Sequence, residues 1–304
     1  MKFLLFADWH HQPGLFPGRT LEDLHLIQRH AEEENCDFII HAGDFCHGPT
    51  TVASYVNEYN DFHIPSYHCL GNHDADHSTY EEALKCYHMP NDYYYFDCNG
   101  CRMIVLNTNY FYYNGEHEHY SMGNYFSKAA ARDHMPQKQL DWLKETIASS
   151  PYPCVTISHS SFGRDADGVK NQMEVRKIFN EANKRKPHSV IMAINGHLHR
   201  DNIRLLDGIC YFDCNSAAFD WVEKPHDHYP KDETDRVHFM RNSIIFNDPL
   251  HAIVTIEGST IEIKGMETTF YRGVTREMAE GNFIYDPMGM PCEPVIRSAK
   301  FTLQ

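Results

Sequence analysis

Five short segments of this 304-residue chain carry residues able to bind a divalent cation. They are Asp8-Trp9-His10, Gly43-Asp44, Gly71-Asn72-His73-Asp74, His159 and Gly196-His197-Leu198-His199. Carboxylate, imidazole and carboxamide groups suit divalent ions, and no thiolate stands among them. One residue separates Asp8 from His10, and one separates His197 from His199. In an extended segment both members of each pair would face the same side. Glycines at 43, 71 and 196 would allow a sharp exit from whatever precedes them. Seven candidate ligands (Asp8, His10, Asp44, Asn72, His159, His197 and His199) exceed what one ion uses. A two-metal site is the natural reading.

Each segment follows a short apolar, partly β-branched run: Lys2–Ala7, Asp37–Ala42, Ser66–Leu70, Cys154–Ser158 and Ser189–Ile194. Met103–Asn107 is a further run of this kind. Helix-like periodicity falls between several of them. Leu21, Leu24, Ile27 and Ala31 share one face, as do Leu140, Leu143 and Ile147, and Glu174 to Asn183 is a third helical stretch. Strands alternating with helices predict an α/β fold. In such folds ligands gather at the carboxyl edge of the sheet, where these five segments would sit. Later segments are more purely β, and 249–304 reads as a β-rich end. Ala252–Glu257 and Thr260–Gly265 flank the hairpin signal Gly258-Ser259. No repeat or linker divides the chain, so one domain over 1–304 is expected.

Composition narrows the function. The formal charge of −15 disfavours partners recognised through a phosphate backbone, so duplex DNA is not the expected ligand. Twenty-two histidines are more than a solvated surface needs, which again points to metal. No apolar run approaches the ~20 residues that cross a bilayer. The run before Asp8 is too short for a signal peptide, whose core needs about 7–15 residues. An unexported, cytoplasmic protein is expected, with its ten cysteines reduced. Cys98-Asn99-Gly100-Cys101 has the spacing of half a zinc knuckle, but no second such pair accompanies it. Asn-Gly between strand-like flanks reads instead as a hairpin turn.

The set Asp-x-His, Gly-Asp, Gly-Asn-His-Asp, His and Gly-His-x-His, in that order, resembles the calcineurin-like metallophosphoesterase superfamily. The resemblance spans Asp8 to His199, about two-thirds of the chain. It implies a two-sheet β-sandwich flanked by helices, an α/β/β/α arrangement whose second sheet no periodicity could supply. It also implies that Asp8, His10, Asp44 and His199 hold a first ion, and that Asp44, Asn72, His159 and His197 hold a second, with Asp44 bridging. By the same resemblance a bridging hydroxide attacks phosphorus and His73 is the general acid. Asp74 is expected to accept a hydrogen bond from His73. The ions could be Mn, Fe, Zn, Co or Ni. His47, three residues after Asp44, stands where the purple acid phosphatase branch has a tyrosine, which disfavours a tyrosinate-bound iron.

The resemblance therefore implies hydrolysis of a phosphomonoester or phosphodiester, with a small molecule or nucleotide as the preferred substrate. A DNA-repair-type metallonuclease and a non-catalytic scaffold of the same fold are the alternatives. Two segments outside the motifs bear on substrate choice. Residues 107–135 contain Tyr110, Phe111, Tyr112, Tyr113, Tyr120, Tyr125 and Phe126, and read as a lid, as a flap packed by its own rings or as a dimer contact. Residues 217–248, with Trp221, are placed at the site mouth, and their charged stretch Lys231 to Arg236 reads as a solvated loop. His11 is expected to face away from His10, and His41 and His68 to be core or supporting residues.

Overall fold

The structure, a computed structural model, describes residues 1–13, 19–164, 167–282 and 289–303. Two six-stranded sheets pack face to face. The first contains β1 (Lys2–Phe6), β2 (Phe38–His41), β3 (Ser66–Tyr67), β14 (Ala252–Glu257), β15 (Thr260–Lys264) and β16 (Ala299–Thr302), in the spatial order β16-β15-β14-β1-β2-β3. The second contains β4 (Tyr94–Cys98), β5 (Cys101–Val105), β8 (Cys154–Ile157), β9 (Val190–Asn195), β10 (Asn202–Leu206) and β11 (Ile209–Asp213), in the order β10-β11-β9-β8-β5-β4. Two hairpins lie apart from them: β6 (Tyr110–Tyr113) with β7 (Glu116–His119), and β12 (Phe219–Trp221) with β13 (Ser243–Ile245).

Burial on both faces explains why the strands read as continuous apolar runs. Phe3 and Leu5 of β1 point between the sheets, against a core that includes Val155, Ile157, Met192 and Ile194 of the second sheet. Leu4 and Phe6 point the other way, into a cluster with Leu24, Ile27 and Ala31 of helix α1 (Leu21–Glu33). The second sheet repeats the arrangement. Its outer residues Ile104, Cys154 and Val190 pack with Leu140 and Leu143 of α4 (Gln137–Ala148) and Phe179 of α5 (Gln172–Arg185). This is the four-layer α/β/β/α sandwich, in one domain. Helices α2 (Ala53–Asn60) and α3 (Tyr80–Cys86) cover the same face as α1.

The parallel strands position the site. β1, β2 and β3 are parallel, as are β5, β8, β9 and β11, so their carboxyl ends emerge together. β3 is shorter than the expected Ser66–Leu70 run, because His68 leaves the ladder and hydrogen-bonds His41 (Nδ1 to Nε2, 2.7 Å). Cys98 and Cys101 pair across a turn with left-handed Asn99 (φ 42°) and Gly100 (φ 79°), and both thiols are free. Lys231–Arg236 is a short helix, α6, rather than a loop, and most of its charged residues face solvent. The C-terminal 249–304 stretch supplies β14 to β16, while its residues 283–288 and 304 lie outside the described residues. Among the described residues no helix is long and apolar enough to cross a membrane.

Leu5 is fully buried between the sheets, directly below the first site segment. Leu5→Ala is predicted to lower stability by about 2–5 kcal/mol, read from denaturant midpoints at unchanged slope.

Candidate metal centre

All seven sequence-identified ligands converge at the joined carboxyl edges of the two sheets. One group of close donor atoms comes from Asp8, His10 and His199, a second from Asp44, His159 and His197. Nε2 of His10 lies 3.1 Å from Nε2 of His199, and the latter is 3.4 Å from Asp8 Oδ1. In the second group, His159 Nε2 is 3.1 Å from Asp44 Oδ2, 3.1 Å from Asn72 Oδ1 and 3.2 Å from His197 Nδ1. Asp44 Oδ2 also lies 3.8 Å from His10 Nε2, so this one oxygen stands between the groups. Two ligands about 2.1 Å from a shared ion would stand roughly 3.0–3.4 Å apart, the spacing of each of these pairs except Asp44 with His10.

Hydrogen bonding on the far side of each ring tests the fit. His199 Nδ1 contacts the Phe219 carbonyl and His159 Nδ1 the Ala42 carbonyl at 2.8 Å. A carbonyl only accepts, so both Nδ1 atoms carry hydrogen, and in the neutral rings both Nε2 atoms present lone pairs inward. Lone pairs of buried nitrogen and carboxylate oxygen at such distances repel unless positive charge lies between them. The side chains of Asp8, His159 and Asp44 are almost wholly buried, which removes bulk water as the mediator. Burial opposes charge on His159, yet Asp44 and Asp8 outweigh it and push its pKa up to about 10. A proton there does what a cation would do.

The backbone follows a route different from the expected one. Asp8 (φ 51°), His10 (φ 52°), Asp44 (φ 52°), His197 (φ 73°) and His199 (φ 54°) are all left-handed. The paired ligands therefore share a side through successive left-handed turns, not through an extended pleat. Asp and His are among the non-glycine residues that tolerate this region best. The three glycines also divide their work. Gly43 has positive φ (93°), whereas Gly71 and Gly196 serve mainly to make room. A Cβ at Gly71 would sit 2.1 Å from Asp44 Oδ1, one at Gly196 2.7 Å from Asp8 Oδ2, and one at Gly43 2.3 Å from the His159 ring.

One expected contact is corrected. Asp74 does not receive His73; it accepts from the backbone N–H groups of Asp44 (3.1 Å), Cys46 (3.1 Å) and Gly71 (2.8 Å), and from Tyr87 Oη (2.6 Å). It thus pins the loop after β2 to the loop after β3. The reason is local: residues 73–75 form a 3₁₀ turn, which turns Asp74 inward and brings the residue three along beside His73. That residue is Asp76, whose Oδ2 lies 2.8 Å from His73 Nδ1. The ring stays partly accessible. Burial works against charge on His73, but Asp44 and Asp76 raise its pKa above the ordinary histidine value.

His47 and His41 lie behind the candidate ligands. His47 Nε2 meets His10 Nδ1 at 3.1 Å. His41 accepts from the Gly43 N–H (3.2 Å), and burial lowers its pKa to about 3, so it stays neutral. His11 stacks on Tyr55 (3.5 Å between centroids), away from the candidate ligands. In the insertion, Phe111, Tyr120 and Tyr125 are buried in a cluster of their own with Ala75, and Phe126 is exposed. Trp221 lies over the site, 6.1 Å from the His73 ring and nearly parallel to it.

Residues 1–201 match the calcineurin-like phosphoesterase family, and the chain belongs to it. No curated protein sequence matches. Among solved structures, a dimetal phosphatase from Danio rerio is similar over 100% of this chain and 99% of its own (TM-score 0.64, 12% identity). GAP50, the anchor in the inner membrane complex of Plasmodium, is similar over 100% and 89% (TM-score 0.53, 15% identity). At such identities these likenesses show the fold alone, on which both a phosphatase and an anchor are built.

Gly71→Ala is predicted to displace the Asp44 carboxylate and remove most bound metal while the far-ultraviolet circular dichroism stays native. Metal content by plasma emission on dialysed protein checks this.

Proposed function

We propose that this chain is a two-metal phosphoesterase acting on a phosphomonoester or phosphodiester of a small molecule, nucleotides included. The observation that carries the proposal is the pair of buried donor groups meeting at Asp44 Oδ2. Asp8, His10, Asp44 and His199 would hold one ion, and Asp44, Asn72, His159 and His197 the other. Two such ions, when bound, lower the pKa of water and neutralise phosphoryl oxygens. The nitrogen and oxygen donors accept Mn, Fe, Zn, Co or Ni.

The chain's own residues do the rest. Asp44 has one oxygen fixed by the His73 backbone N–H (2.8 Å), which leaves Oδ2 to be shared. His73 is the proton donor to the leaving oxygen, with Nδ1 committed to Asp76 and Nε2 left for the substrate. The near-parallel Trp221 ring and exposed Phe126, 6.3 Å from the His73 ring, favour an organic leaving group with a flat face. The net charge of −15 weighs against a duplex-DNA nuclease. Retention of every donor together with His73 weighs against a scaffold.

The test is hydrolysis of p-nitrophenyl phosphate and bis-p-nitrophenyl phosphate by metal-analysed protein, with Mn²⁺ and with chelator. Chelator-sensitive turnover with two metal equivalents per chain is expected, and Asp44→Asn should reduce it at least about 10³-fold. His73→Ala should keep both ions and lose on the order of 10²-fold or more on poor leaving groups. Absence of metal and of turnover on both esters under every ion would sink the proposal.

A further inference from the structure

We propose that Asp76 is the positioning carboxylate of this site, joining the acid histidine to the metal ligand His10 on one side and to the aromatic insertion on the other. The inference rests on the phosphoesterase reading above for its kinetic consequence. Its structural content stands on separate contacts. Asp76 Oδ2 lies 2.8 Å from His73 Nδ1 and 2.9 Å from His47 Nδ1, and Oδ1 lies 2.6 Å from the Tyr125 hydroxyl. The Asp76 side chain is only 9% exposed.

A carboxylate accepts and does not donate, so its position sets the hydrogens on all three partners. His73 and His47 must each carry hydrogen on Nδ1, and the Tyr125 hydroxyl donates. Neutral His47 then has a lone pair on Nε2, which faces His10 Nδ1 at 3.1 Å. His10 in turn must carry hydrogen on Nδ1, which leaves its Nε2 lone pair for the ion. One carboxylate thereby fixes the tautomers of three imidazoles, two of them at different tasks.

Ring packing reinforces this. His73 lies 4.6 Å from the His47 ring, 5.1 Å from His10 and 5.9 Å from Tyr125, edge-on in the last two cases. Trp221 covers it from the other segment. Tyr125 is the point at which residues 107–135 reach the chemistry, with its ring buried and its hydroxyl on Asp76. The insertion is therefore a support of the acid in addition to any covering role. The same His47, His73 and Asp76 atoms are close enough to be read as a cation site. The hydrogen-bond pattern answers differently, since the His47 nitrogen facing Asp76 must carry hydrogen for His47 Nε2 to accept from His10, and a nitrogen that carries hydrogen cannot hold an ion.

The test compares wild type, Asp76→Asn, Asp76→Glu and Tyr125→Phe, each loaded with zinc and analysed for metal. Phenyl phosphate and p-nitrophenyl phosphate, or their diester counterparts, report the dependence on leaving group. Asp76→Asn should keep two metal equivalents and lower phenyl ester turnover about 30–100-fold, within what a general acid contributes. The p-nitrophenyl ester should fall at least tenfold less. Tyr125→Phe should shift the ratio in the same direction by a smaller factor, and Asp76→Glu should recover part of it. Equal losses on both esters would overturn the proposal, as would a third metal equivalent that disappears in Asp76→Asn.

Nitrogen-15 spectra of histidine-labelled, zinc-loaded protein supply the reading that needs no turnover. The Nδ1–H signals of His47 and His73 should be present and slowly exchanging in wild type, and lost or strongly shifted in Asp76→Asn. Their absence from wild type would overturn the role of Asp76. A wild type that shows them but hydrolyses neither ester would instead refute the phosphoesterase reading while leaving the hydrogen-bond assignment standing.

Discussion

The structure turns on nitrogen and carboxylate donor atoms packed so closely that positive charge, a proton on His159 or a cation, must lie between them. His199 and His159 spend their Nδ1 hydrogens on backbone carbonyls, so their Nε2 atoms face carboxylate and imidazole acceptors in a nearly dry interior. Such an arrangement is unfavourable without positive charge, and Asp44 Oδ2 lies where two such charges would share it. Everything around the site can be understood as holding these atoms together. The carbonyls of Ala42 and Phe219 orient the rings, and Asp74 fastens two ligand loops to each other.

That convergence has a conformational cost, borne by the sandwich. Five of the candidate ligands occupy left-handed backbone, each at about 1–2 kcal/mol for an ordinary residue and less for Asp or His. Such strain persists only where the surroundings over-determine it. Parallel strands from two packed sheets end beside one another and stay in register: the Gly196 N–H reaches the His159 carbonyl at 3.1 Å, and the Asp8 N–H reaches Gly43 at 3.1 Å. The inter-sheet core of Phe3, Leu5, Val155 and Ile194 is thus the foundation of the candidate metal centre.

Much of this was legible in the sequence because ligand chemistry and strand ends coincide there. An apolar run followed by Asp, Asn or His is a local signal, and five of them in order specify the family and pick out the seven side chains that the fold brings together. The second sheet was legible only through the resemblance, since no residue pattern distinguishes one six-stranded sheet from two. The partner of His73 differs from the expected one for a physical reason. Asp74 is the neighbour in sequence, whereas a 3₁₀ turn brings the residue three positions on alongside. An Asp at i+3 from a histidine just after a glycine exit was the available signal for Asp76. Tyr125 carried none, because its contact joins residues 49 apart in the chain.

The central claim is that Asp44 is shared by two ions. Anomalous diffraction at the manganese edge from crystals grown with Mn²⁺ tests it most directly. The account predicts two peaks about 3.5–4 Å apart, one on each side of Asp44 Oδ2. One would be ringed by Asp8, His10 and His199, the other by Asn72, His159 and His197. A single peak, or a peak lodged among His47, His73 and Asp76, would contradict it.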